Sequence, residues 1–208
     1  MVTNKGSSVM SATQSASDTF SDSELSMLLD IVERTIHCYI NQLPLPKILI
    51  QDYPEALQNP GACFVTLHVG GELQGCIGTV VAQIPLVLEV ERKTWSAACQ
   101  DRRFAPLQRD QIDDLTIEVS VLTTPHPLTI GTEQELVFYL EHRKCGVILS
   151  DGYRSALFLP QVWEALPAPR DFLNHLKQKA GWHADYWSDD ISVQTFDVQM
   201  KSRRYKGL

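Results

Sequence analysis

The hexapeptide Leu73-Gln74-Gly75-Cys76-Ile77-Gly78 sets one cysteine between two glycines, inside a run that otherwise reads as a strand. Glycine weakens a strand, so two of them here signal that something approaches the backbone closely. A thiol in this setting offers a nucleophile, a redox group or a docking point. The plainer reading is a small buried side chain in a tightly packed hairpin. Cysteine chemistry runs through the thiolate, so an active Cys76 needs a cation, a helix N-terminus or a histidine base beside it. Arg102, Arg103, His126 and His175 are the candidates from elsewhere in the chain. The amides around Gly75, Cys76 and Ile77 are placed to stabilise an oxyanion.

Other residues carry weaker signals. Glu118 and Ser120 share one face of a predicted strand, and Glu118 is a candidate general base if it stands near Cys76. Arg102 and Arg103 follow a predicted helix, where cations complement the terminal dipole. Their functional alternative is an anion site, since arginine grips carboxylate or phosphate with two parallel hydrogen bonds. His142 and Cys145 are spaced for two metal ligands on one helical turn, yet no second pair follows and neither CxxC nor HExxH occurs, so no metal site is assigned. Trp182, Tyr186 and Trp187 read as packing over a C-terminal helix, with a stacking surface as the alternative. The Lys201-Ser202-Arg203-Arg204-Tyr205-Lys206 cluster reads as a solvated tail, with an acidic partner as the alternative.

These residues need elements to position them. Residues 1–20 are rich in Ser and Thr with few apolar anchors and read as disordered. Ser21 and Glu24 then have capping-box spacing, and Leu25, Leu28, Leu29, Val32, Ile36 and Tyr39 follow a helical stripe. Pro44, Pro46, Pro54 and Pro60 break the next stretch into a loop. Ala62 to Val69 and Glu72 to Val80 read as strands joined by the hairpin signal Gly70-Gly71. A helix is expected from Pro85 to Gln100, a strand from Leu115 to Leu122 and a helix from Glu133 to His142. Gly146 to Ser150 and Tyr153 to Leu159 flank a second hairpin signal, Asp151-Gly152. Arg170 to Ala180 reads as a helix with Gly181 as its cap, and Ser192 to Met200 as a strand that closes the sheet.

A two-residue turn at Gly70-Gly71 sets Val69 opposite Glu72, Leu67 opposite Gln74 and Val65 opposite Cys76. Cys76 then shares a face with Cys63, at an α-carbon distance of roughly 7–8 Å that is slightly too long for an unstrained disulfide. His68 falls on the other face. A one-residue slip reverses both statements.

Helices interspersed with hairpins favour an α+β fold with a mostly antiparallel sheet. The 208 residues suit one domain, assigned to 21–208, with a possible small subdomain. A net charge of −7 argues against a phosphate-backbone binder, so nucleic acid is not an expected partner. No glycine-rich phosphate motif, membrane-length apolar run or secretory signal is present, and five scattered cysteines form no disulfide framework. A reducing cytoplasm is the expected compartment, and no cofactor is called for.

At Leu73-Gln74-Gly75-Cys76-Ile77-Gly78 the chain resembles the AMMECR domain family, known in prokaryotes as AmmeMemoRadiSam system protein A. The family signature is Leu-Arg-Gly-Cys-Ile-Gly, with arginine where this chain has Gln74. Gly61-Ala62-Cys63-Phe64-Val65-Thr66-Leu67 is similar to the family's preceding strand, and Asp101-Arg102-Arg103-Phe104-Ala105-Pro106 to its Asp-Pro-Arg-Phe segment. Glu118-Val119-Ser120-Val121-Leu122, Leu159-Pro160-Gln161-Val162 and Phe172-Leu173 through Lys179-Ala180-Gly181 match further family patterns. The resemblance implies an α+β fold with a larger antiparallel-sheet domain, a smaller subdomain and a cleft between them. It also implies association with a Memo-like protein and a radical SAM protein. The first functional expectation is therefore an accessory protein that binds a small ligand or peptide in a cleft around Cys76. Gln74, Gly75, Ile77, Gly78, Arg102 and Arg103 would line that cleft. The alternative is an enzyme with Cys76 as nucleophile or redox group, assisted by Glu118. Glutamine at position 74 removes a permanent cation beside the thiol.

Overall fold

The structure is a computed structural model that describes residues 19–207; most of the 1–20 segment read as disordered lies outside them. Helix α1 (Asp22–Asn41) begins at the expected capping box, in which Ser21 Oγ accepts the Glu24 N–H at 3.2 Å and the Glu24 carboxylate accepts the Ser21 N–H at 2.7 Å. The proline-rich stretch is not wholly irregular. It contains a 3₁₀ turn (Ile50–Asp52) and one helical turn, α2 (Glu55–Gln58). Strands β1 (Ala62–Val69) and β2 (Glu72–Gly78) lead into α3 (Leu86–Cys99), a 3₁₀ segment (Arg109–Asp114) and β3 (Leu115–Leu122).

The chain then builds a second unit from β4 (His126–Pro127), α4 (Glu133–His142), β5 (Gly146–Ser150), β6 (Ser155–Phe158), α5 (Val162–Ala165), α6 (Pro169–Lys179) and β7 (Ser192–Phe196). It returns as β8 (Val198–Arg204), which pairs with β3 from Leu122↔Val198 to Thr116↔Arg204. The α+β expectation holds, with two antiparallel four-stranded sheets ordered β2-β1-β3-β8 and β4-β7-β5-β6. The second unit is thus an insertion between two neighbouring strands of the first. At the crossing, Thr123 N–H donates to Asp197 O and Asp197 N–H donates to Thr123 Oγ1, both at 2.9 Å.

Each lobe has its own core. In the first, Leu28, Leu29, Val32 and Ile36 of α1 and Leu86, Val87 and Val90 of α3 pack on Cys63, Val65, Leu67, Ile117, Val119 and Val121. In the second, Trp163 stacks on Phe172 with ring centroids 3.8 Å apart, and its Nε1–H donates to Cys145 O at 2.8 Å. Trp182, Tyr186 and Trp187 belong to this core, in agreement with the packing reading. A smaller apolar cluster joins the lobes, with Ala62, Leu122 and Phe196 at its centre and Phe64, Val80, Ile148, Leu157 and Leu159 around it. Among the described residues, no helix or strand of one lobe packs extensively on an element of the other.

Four expectations need correction. Gly70 and Gly71 (φ 59° and 89°) do form a two-residue turn with Val69 opposite Glu72, but the register then shifts between Leu67 and His68. His68 pairs with Leu73 and Leu67 with Gly75, so Gln74 is the extra residue of a β-bulge and every later position slips by one. Cys76 therefore faces Thr66, not Val65. Second, the stretch Ser192 to Met200 is two strands in two sheets, divided at Asp197. Third, the basic C-terminal cluster is no solvated tail. Lys201 to Arg204 belong to β8, and two of these cations bind α1: Lys201 pairs with Asp22, and Arg203 with Asp30 and Glu33, while Arg204 pairs with Asp114. The second hairpin also has a four-residue connection, with Ser150 opposite Ser155. Asp151 Oδ1 accepts the N–H groups of Tyr153 and Arg154 there, at 2.9 and 2.7 Å.

Candidate functional site

The bulge decides which side chains accompany Cys76. Residues that alternate into the core side of the first sheet are Cys63, Val65, Leu67, Ile117, Val119 and Val121. The opposite face carries a row Cys76–Thr66–Glu118–Ser202 across all four strands. Flanking it are the rows Gly78–Phe64–Ser120–Met200 and Leu73–His68–Thr116–Arg204. Cys63 thus lies on the far side of the sheet from Cys76, and burial pushes its thiol up to about 12. Burial likewise pushes the Cys145 thiol up to about 11. His68 stands on the Cys76 face, reversed from the simple hairpin register because a one-residue slip flips every later side chain.

The glycines that flank Cys76 serve packing. A Cβ on Gly75 would lie 2.2 Å from the backbone oxygen of Ala97, so α3 rests directly on this point of β2. A Cβ on Gly78 would lie 2.2 Å from the Phe64 ring. Ile77 turns into the helical core.

β2 is an edge strand, and its outward groups at Cys76 are closed by side chains. Asp101 Oδ2 accepts the Cys76 N–H at 3.0 Å, and Arg103 donates an Nη2–H to the Cys76 carbonyl at 3.0 Å. Arg103 also grips Asp101 through Nε at 3.0 Å and Nη2 at 2.7 Å. Carboxylate and guanidinium together reproduce the bond pair that a neighbouring strand would supply, which protects the edge. The Arg103 guanidinium, aided by the Cys76 N–H and opposed by burial, holds the Asp101 carboxyl well below the usual carboxylate range. Arg102 is exposed on the same turn. Gln74 is tied down too: its Nε2 donates to Ala105 O at 2.7 Å, and Gln111 Nε2 donates to its Oε1 at 3.3 Å.

On the open face the half-buried Cys76 Sγ accepts a hydrogen bond from Thr66 Oγ1 at 3.3 Å. Glu118 lies two strands from Cys76, about 9.5 Å in the hydrogen-bonding direction, with Thr66 between them. Its own partner is Ser120 Oγ at 3.4 Å. Of the expected site residues, Cys76 and Glu118 therefore share a row without touching. Gln74 and Arg103 brace the strand. His126 and His175 belong to the second lobe, where His175 Nδ1–H donates to Asp171 O at 2.8 Å. Sequence reasoning missed Thr66, Asp101, Met200 and Ser202, which only the bulged register and the return of β8 bring to this place. Among the described residues, no group of three or more His, Cys, Asp or Glu side chains is arranged for a metal, and no helix is long and apolar enough to cross a membrane. Two surface depressions of about 530 and 520 Å³ lie elsewhere, beside Trp95 and Phe138.

Comparison with known proteins bears on the family and the fold. The protein MJ0810 of Methanocaldococcus jannaschii is 33% identical over 168 residues, which is 77% of this chain and 82% of that protein. A protein of Thermotoga maritima is 36% identical over 180 residues, 84% of this chain and 96% of its own. The crystal structure of the uncharacterized protein PH0010 from Pyrococcus horikoshii superposes with a TM-score of 0.72 at 29% identity, covering 89% of this chain and 94% of that one. The AMMECR1 family profile matches residues 29–201, from within α1 to β8 and through every strand around Cys76. The chain belongs to the AMMECR1 family.

Proposed function

We propose that the chain is a cytoplasmic accessory protein that binds a small ligand or a peptide segment on the open sheet face around Cys76. In this reading it presents that ligand to Memo-like and radical SAM partners, which the AmmeMemoRadiSam resemblance implies. The observation that carries the reading is the treatment of Cys76. Its backbone is clamped on both sides by Asp101 and Arg103, while its thiol is set toward a polar row and bonded to a neutral hydroxyl. A clamped strand holding half-buried polar side chains suits recognition, because little order has to be gained on binding. Covalent catalysis needs a base within hydrogen-bond reach of the nucleophile, and the group bonded to Sγ is Thr66.

The test uses purified chain mixed with the purified Memo-like and radical SAM proteins of the same organism, followed by calorimetry. Binding that is weakened by Thr66→Val and Cys76→Ser, and unchanged by Tyr153→Ala on the distant second-lobe hairpin, supports the reading. Absence of binding to either protein overturns the accessory role.

The second reading, a cysteine-dependent enzyme, is favoured by one observation: the half-buried Cys76 Sγ stands on the open face of the sheet, hydrogen-bonded to Thr66 Oγ1. Alkylation rate against pH, with Cys76→Ser as control, decides it. Rapid native-state labelling with a midpoint well below the free-thiol value of about 8.5 would move the enzyme ahead.

A further inference from the structure

We propose that the segment Leu43 to Lys47, with the depression beside Trp95, is a docking surface for a partner protein that carries an aromatic-lined groove with carboxylates at its rim. The surface lies with α1 and α3 on the helical side of the first sheet, away from Cys76. It therefore goes beyond the ligand reading above and does not depend on it.

The covalent chemistry of the segment sets its conformation. Gln42 closes α1 in the left-handed conformation (φ 55°), and the Leu43 N–H donates to Cys38 O at 2.9 Å. Pro44 and Pro46 then fix their own φ at about −65°. Each proline also keeps the residue before it, Leu43 or Leu45, out of the helical region. The whole run from Leu43 to Pro46 is thereby confined to extended backbone of the polyproline II kind. Among the described residues, no backbone hydrogen bond reaches a carbonyl of residues 43–47.

A polyproline II helix turns once in about three residues, so positions three apart share an edge. Leu45 and Ile48 form one edge, Leu43 and Pro46 a second, Pro44 and Lys47 a third. The exposures follow this period. Ile48 is 7% exposed and anchors the first edge in the core, while Leu45 is 37% and Leu43 47% exposed. Pro44, Pro46 and Lys47 are exposed, so the second and third edges face outward. Leu45 leans over α3, where it walls the depression of about 530 Å³ with Trp95.

A ridge of fixed shape with open carbonyls suits an aromatic-lined groove. Ring faces cradle its apolar edge, and an indole or phenol donates to its carbonyls. Because prolines have already ordered the ridge, little freedom is lost on binding. Charge specifies the rim. The charged residues of ridge and depression are Lys47, Glu91, Arg92 and Lys93. Lys93 is spent on Glu89 at 3.2 Å, and Glu91 has its Oε1 buried with the Arg34 guanidinium as neighbour. Lys47 and Arg92 form no ion pair among the described residues, so both are open to a partner's carboxylates. A second copy of this chain is the poorer occupant, because it would bring these same cations together.

The test titrates isotope-labelled full-length chain with purified SH3, WW and EVH1 domains, whose aromatic-lined grooves read polyproline II segments. It is read by the amide signals of Leu43, Leu45 and Lys47 and the indole signal of Trp95. At least one domain should saturate these signals. Leu43→Ala and Lys47→Glu should each weaken that domain about tenfold or more, and Tyr153→Ala on the second-lobe hairpin should leave it unchanged. Arg92→Glu repeats the charge test from α3 without touching the ridge, and should weaken binding in the same direction. Failure of all three domains to saturate the ridge signals overturns the assignment, as does binding that survives Leu43→Ala and both charge reversals. A dimer in sedimentation that Leu43→Ala dissociates would give the surface to a second copy and overturn the aromatic-groove partner.

Discussion

Removing the Asp101 carboxylate tests whether the Asp101–Arg103 pair is a strand clamp. Asp101 is 7% exposed and accepts four hydrogen bonds: from the N–H groups of Cys76 and Arg103 at 3.0 and 3.2 Å, and from Arg103 Nε and Nη2 at 3.0 and 2.7 Å. Asp101→Asn keeps the shape and one accepting oxygen. It removes the charge and turns an NH₂ group toward a guanidinium that can only donate. Hydrogen bonds to a charged group contribute about 1.5–3 kcal/mol, and the surviving oxygen retains part of that, so the expected loss is about 2 kcal/mol. For a chain of this size that lowers the melting temperature by about 4–8 °C. The pH dependence gives a second readout. The folded-state carboxyl sits below its unfolded value of about 3.9, so its stabilisation is complete above that value and is lost as pH falls through the lower folded value. Calorimetric melting of both proteins from neutral pH downward should show a constant gap near neutrality that closes below about pH 4. An unchanged melting temperature at neutral pH, or a gap that persists undiminished in strong acid, would refute the clamp.

Gly75→Ala should cost about 3 kcal/mol in urea unfolding, because the new methyl meets a backbone oxygen of α3 that no side-chain rotation can move. Gly78→Ala meets the Phe64 ring and should be partly rescued by Phe64→Ala, which a double-mutant cycle measures as coupling. Lys177, 1% exposed and bonded to Glu133 at 2.8 Å, makes an unequal pair of variants. Glu133→Gln should destabilise by about 3 kcal/mol because it leaves a buried cation unpaired, whereas Lys177→Met should cost little or stabilise.

Most of the elements follow from local chemistry. The Ser21–Glu24 box, the alternation of Leu115 to Leu122, the Glu133 to His142 helix and the glycine turn at Gly70-Gly71 all carry their instructions within a few residues. What escaped was set by contacts distant in sequence. No residue type marks Gln74 as a bulge. Two glycines, one under α3 and one under Phe64, and an amide reaching Ala105 and Gln111 fix the register there, and those contacts come from 14 to 37 positions away. The C-terminal cluster was misread for a similar reason. Its alternating cations look like a soluble tail until α1 supplies Asp22, Asp30 and Glu33 on one side and β3 supplies a ladder on the other.

The same slip controls the chemistry of the site. With the simple register, Cys76 would have pointed at Val65 and Cys63, a dry surface with nothing to bind. One extra residue in β2 turns it to Thr66, Glu118 and Ser202, which come from three strands and two distant parts of the chain. Arginine beside the thiol in the family signature reads naturally as a cation for an anionic ligand or a thiolate. In this chain the position is glutamine, its amide is bound to the neighbouring loop, and the nearby arginine is closed over Asp101.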